Sequence, residues 1–176
     1  MKRADLEHVI RAAADIAQDD EIVVVGSQSI LGQFPHAPAD LCVSVEADVY
    51  PKNRPERSDL IDGSIGEGSP FHTTFGYYAQ GVGETTAVLP RGWKGRLVAV
   101  RNENTRGATG LCLEVHDLVI SKCVAGREKD VRFLRAAARH RLVARATLLA
   151  RLAETDLVPE LREVVAGRIE EAFIPV

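Results

Sequence analysis

Cysteine is scarce: Cys42, Cys112 and Cys123 are an odd number at wide spacings. That pattern excludes a disulfide scaffold and a four-cysteine zinc site. The five histidines (His8, His36, His72, His116, His140) show no metal-ligand spacing, and no Cys-x2-Cys pair joins them, so a zinc centre is not expected. No apolar run reaches the roughly 18–20 residues of a membrane-spanning helix. The basic start, Met1-Lys2-Arg3, leads into Glu7, Asp15, Asp19 and Asp20 without an apolar stretch, unlike a signal peptide. Net charge is only −3, which argues against a uniformly basic nucleic-acid coat and an acidic disordered tail. What is present is 45% apolar residues in 176, enough for a buried core. The expectation is a cytoplasmic protein with no membrane partner.

Charge is unevenly spread. From 37 to 70 there are seven acids against three bases, and from 127 to 151 eight bases against two acids. The first stretch suits a metal ion and the second an anionic group, although both also read as ordinary solvated faces.

The apolar spacing of Leu6, Val9, Ile10, Ala13 and Ile16 predicts a helix over 5–18. Glu21-Ile22-Val23-Val24-Val25 reads as a buried strand ended by Gly26-Ser27, and 28–33 as the first turns of a helix. The alternation over 41–50 predicts a second strand, with Glu46 and Asp48 on one side. The glycine- and proline-rich stretch 51–90 is expected to be irregular, with a short helix over 58–65 and strands near 75–82 and 85–89. Strands are predicted at 97–100 and 111–115. A helical region begins at His116-Asp117, with Asp117 as its N-cap and Gly126 as a place where it bends or divides. The order favours an α+β fold with a small mixed sheet. Residues 1–115 would form the α/β core and 116–176 a helical region packed on it as one compact unit.

Three constellations could carry chemistry. Gly26-Ser27 lies directly after a strand, where a glycine admits a ligand close to the backbone and N–H groups can receive a phosphate. Glu46-x-Asp48 puts two carboxylates roughly 7 Å apart along a strand, a spacing that a divalent cation can bridge. Lys122 and Lys129 are seven residues apart and share a helix face if the helix continues past Gly126.

Together, Val23-Val24-Val25-Gly26-Ser27 and Val45-Glu46-Ala47-Asp48-Val49 resemble the core signature of the DNA polymerase beta-like nucleotidyltransferase superfamily. The run from Val115 to Asp130 is similar to a helix of bacterial AbiEii-type toxins and of DUF6036-type proteins. The resemblance implies a nucleotidyltransferase-like core. It implies that Gly26 and Ser27 hold the triphosphate of an NTP and that Glu46 and Asp48 bind Mg²⁺ or Mn²⁺. Lys122, Arg127, Lys129 and Asp130 would face the nucleotide. The implied activity is Mg-dependent transfer of a nucleoside monophosphate to an RNA or a protein hydroxyl. The alternative is a catalytically impaired nucleotide-binding or protein-interaction module, with a homo-oligomer or an antitoxin-like protein as partner. The sequence departs from the superfamily pattern in having Glu46 where aspartate is usual, and in the eighteen residues between Ser27 and Glu46. A third acid on a later strand is expected, and the candidates for its position are Gln80 and Glu114.

Among other residues, His72 reads as a loop hydrogen-bonder or substrate contact and His116 as structural. Cys42 and Cys123 read as core residues, and Trp93 as a cover for a sheet edge.

Overall fold

A computed structural model of the chain describes residues 1–174. The chain divides into two compact units, one formed by 1–86 with 97–114, the other by 87–96 with 115–176.

The first unit opens with α1 (Arg3–Ala17), whose Leu6, Val9, Ile10 and Ala13 are fully buried, the stripe that the spacing of the sequence predicts. Gln18 ends it in the left-handed region at φ 53°. β1 (Glu21–Val24) is the central strand of a five-stranded sheet. β2 (Glu46–Pro51) runs antiparallel to it, with Val24 opposite Val49. β3 (Tyr78–Gly81) lies parallel to β2 at one edge. On the other side β5 (Thr109–Cys112) runs parallel to β1, and β4 (Val98–Val100) closes the second edge antiparallel to β5. The order is β3-β2-β1-β5-β4. The fold is therefore α+β with a small mixed sheet, as expected.

Three helical pieces complete this unit: α2 (Ile30–Gln33), α3 (Ser58–Ile65) and α4 (Pro70–Phe75). The helix over 58–65 falls where the sequence puts it. α4 replaces an expected loop; Pro70 starts it, and the Ser69 side chain accepts from His72 N.

Some boundaries differ. The strand predicted from residue 41 begins only at Glu46, because 39–41 form a 3-10 turn and the Met1 ammonium donates to the carbonyls of Cys42 and Ser44. The strand predicted at 85–89 is absent; Glu84–Thr86 form a 3-10 turn. β5 stops at Cys112, and Val115 already opens a helix.

The second unit contains α5 (Val115–Ala125), α6 (Glu128–Arg139), α7 (Arg145–Ala153) and α8 (Pro159–Ala172). Leu118, Ile120, Leu134, Leu148 and Ile169 are buried there. Asp117 is not the N-cap of α5; it sits in the first turn, fully buried. Arg96 grips it with Nε–Oδ2 at 2.8 Å and Nη2–Oδ1 at 3.0 Å, and Arg151 Nε lies 3.2 Å from Oδ1. A carboxylate removed from water needs such partners.

Helix α5 ends at Gly126, which is left-handed at φ 64° and donates its N–H to Lys122 O at 2.9 Å. The guanidinium of Arg168 also covers the face where a side chain at 126 would lie. The condition for Lys122 and Lys129 to share one helix face therefore fails, and Lys129 belongs to α6. His116 is structural, accepting the Ala144 N–H on Nε2 at 3.0 Å. Cys123 is buried, whereas Cys42 is only half-buried.

Candidate functional site on the β1–β2–β3 face

The exit of β1 and the middle of β2 are held together at backbone level. Val25 N donates to the carbonyl of Asp48 at 3.0 Å. One residue on, Gly26 lies so close to β2 that a Cβ built on it would overlap the Asp48 carboxylate, with Cγ at 2.7 Å. Glycine is required here for space rather than for its φ of −78°. Gly26 and Asp48 are thus in contact although twenty-one residues separate them in the chain. Ser27 follows, half-buried, at the start of a 3-10 turn, Ser27–Ser29, which leads into α2. The expected helix is only this turn plus one α-turn, so its dipole adds little, and the close backbone approach is the larger feature.

Glu46 and Asp48 are both half-buried while Ala47 between them is fully buried, so the two acids do share a face. The parallel register places Tyr78 opposite Glu46 and Gln80 opposite Asp48. The Tyr78 hydroxyl donates to Glu46 Oε2 at 3.0 Å. Burial, with this hydrogen bond and the nearby carboxylates, pushes the Tyr78 phenol up to about 12, so it stays a donor at neutral pH. The His72 ring packs 4.7 Å from the Tyr78 ring, and its Nδ1 accepts the Gly68 N–H at 3.0 Å. His72 thus lies on α4 rather than in a loop, where it accepts from the Gly68 N–H and backs Tyr78. Tyr78 itself was not singled out from the sequence, because the register of two strands thirty-two residues apart gives no local signal.

The third-acid position on the neighbouring strand is held by exposed Gln80. Glu114 lies between β5 and α5, not on a strand. Among the described residues no three carboxylate, histidine or cysteine groups cluster to hold a metal. Two carboxylates with an amide alongside suit one hard divalent ion that keeps positions for water and substrate oxygens.

Lys122, Arg127, Lys129 and Asp130 belong to the second unit. Asp130 is buried and accepts from Arg127 Nε at 2.7 Å, with Lys122 Nζ 3.5 Å away. Burial pushes its carboxyl up, but the Arg127 bond and the Lys122 charge outweigh this and hold it below the usual carboxylate range. Lys129 is exposed.

A cavity of about 850 Å³ opens elsewhere in the first unit, by Lys2, His36, Val45 and Phe75; none of Gly26, Ser27, Glu46 or Asp48 lines it.

Neither the comparison with curated proteins nor that with solved structures gives a match. A family model described as a nucleotidyltransferase of unknown function matches residues 4–164, a span that includes the glycine turn, both carboxylates and α5–α6. The chain belongs to this nucleotidyltransferase family, DUF6036.

Proposed function

We propose that the chain transfers a nucleoside monophosphate from an NTP to a hydroxyl acceptor, of RNA or of protein, with Mg²⁺. The observation that carries the reading is the contact of the Gly26 backbone with the Asp48 carboxylate, with Glu46 beside it on the same face. A phosphate seated at Gly26-Ser27 would lie next to the acids that hold its counter-ion. In the transfer the acceptor hydroxyl would release its proton to solvent, its oxygen would bond the α-phosphorus and the bond to pyrophosphate would break; a divalent ion at the site would supply neutralisation of the phosphate charge. Glu46 and Asp48 would supply its protein ligands, and Tyr78 would fix the orientation of Glu46. Ser27 would donate its hydroxyl to a phosphate oxygen. The roles that the resemblance gives to Lys122, Arg127, Lys129 and Asp130, and to an antitoxin-like partner, are separate proposals.

Gln80 opposite Asp48 favours a second reading, nucleotide binding without turnover, since an amide is no base. The deciding experiment is calorimetric titration of the four NTPs with and without Mg²⁺, on wild type and on Glu46→Ala/Asp48→Ala, followed by a labelled-NTP transfer assay. Mg-dependent binding that the double variant loses supports the site, and transfer of label separates the two readings. A folded wild type that binds no nucleotide sinks both.

A further inference from the structure

Gln28 is wholly buried, yet neither its amide oxygen nor its amide nitrogen has a hydrogen-bond partner among the described residues. The Oγ of Ser29, also wholly buried, is in the same condition. A glutamine amide carries two donors and an acceptor, and leaving them unpaired away from water is costly. Buried side-chain polar groups are normally satisfied, so an exception asks for a cause. In this molecule three such atoms fall on two consecutive residues, immediately after Gly26-Ser27.

The backbone around them changes winding at this point. Residues 27–29 are wound as a 3-10 turn and 30–33 as a single α-turn. The two windings differ by one step in hydrogen-bond register, so a change of winding here exchanges a single backbone hydrogen bond. Ser29 N bonds Gly26 O at 3.0 Å, the 3-10 pattern, while Phe34 N bonds Ile30 O at 2.9 Å, the α pattern. The turn packs on β2, the strand that carries Glu46 and Asp48.

Resting on the phosphate site proposed above, we infer that Gln28 is a further binding residue of that site, whose amide N–H group donates to a phosphate oxygen once the turn rewinds around the ligand. In the free protein the amide is sequestered without partners, and the bound state supplies them. The ligand feature that Gln28 reads is the phosphate chain, not the base.

The test combines stability and affinity on the intact chain. Gln28→Leu removes both polar atoms at similar volume, and Gln28→Met is a second variant of matching length. Thermal denaturation without ligand is expected to show midpoints raised by about 3 °C or more, because the unpaired amide is gone. Titration with the Mg²⁺ complexes of ATP, GTP, CTP, UTP and inorganic tripolyphosphate is expected to show at least about tenfold weaker binding, by the same factor for every probe. If wild type binds and both variants bind equally well, Gln28 is not a ligand contact and only this inference falls. Lowered midpoints would mean that an ordered water already satisfies the amide in the free protein, which also overturns it. A loss confined to NTPs, with tripolyphosphate unaffected, would overturn the phosphate assignment. If wild type binds none of the probes, the phosphate site and this inference fall together.

Discussion

Tyr78 donates its hydroxyl to Glu46 Oε2 at 3.0 Å, so the first acid of the β2 pair is oriented by the edge strand beside it. Tyr78→Phe removes that donor and keeps the ring against His72, 4.7 Å away. The expected outcome is a thermal midpoint close to wild type, with Mg-dependent nucleotide affinity weakened about tenfold, the scale of other losses of a ligand's supporting hydrogen bond. Paired thermal melts and calorimetric titrations check it. An unchanged affinity would show that Glu46 needs no such support.

Gly26→Ala tests the contact between β1's exit and β2. The added methyl must displace the Asp48 carboxylate or push the turn off the sheet. Overpacking of this kind costs about 1–3 kcal/mol. The variant is expected to melt several degrees lower and to lose Mg-dependent nucleotide binding. Gly63→Ala is the control, since a Cβ there meets nothing within 4 Å. A Gly26→Ala protein that binds as wild type would show that the close approach of Gly26 to Asp48 is not needed for binding.

Local patterns were legible where local physics decides. α1 announces itself by its apolar stripe, β1 by its β-branched run, and the shared face of Glu46 and Asp48 by the two-residue period of a strand. What could not be read depends on partners far away in the chain. Residues 41–45 alternate like a strand, but β3 offers a partner only from Tyr78, opposite Glu46, and the Met1 ammonium takes the carbonyls of Cys42 and Ser44 instead. Val115 looks like the end of a strand because it is β-branched, yet it opens α5. Tyr78 and Gln28 give no local signal: one acquires its role from strand register, the other from being buried without a side-chain hydrogen-bond partner among the described residues.

The pH dependence of the second unit should carry the mark of Asp130. Its carboxyl is held below the usual range because Arg127 and Lys122 favour the ionised form by more than burial disfavours it. A group with a depressed folded-state value stabilises the fold above its unfolded value, roughly 3.9, and that contribution drains away as pH falls toward the folded value. Wild-type thermal midpoints should therefore drop as pH falls from about 5 to 3. Asp130→Asn should start lower at pH 7 and show a shallower fall over the same interval. Parallel curves for the two proteins would mean that Asp130 is not ionised against its partners.

The grip of Arg96 on Asp117 offers a sharper stability test, because it ties the 87–96 segment to α5 within the second unit. Asp117 is fully buried, whereas the Arg96 side chain is 23% exposed. Removing the carboxylate takes away the anion that Arg96 and Arg151 share. Asp117→Ala is therefore expected to cost about 3–5 kcal/mol. Arg96→Ala should cost less, since Arg151 still neutralises Asp117 and the vacated space is open to water. The same variant should make the bond after Arg91 more susceptible to trypsin, because Arg96 Nη2 also donates to the Arg91 carbonyl at 3.0 Å. Denaturant melts rank the two variants, and timed proteolysis reads the segment. Equal losses in both melts would assign the whole effect to the Arg96–Asp117 pair, and a trypsin pattern identical to wild type would show that the 87–96 segment is held by other contacts.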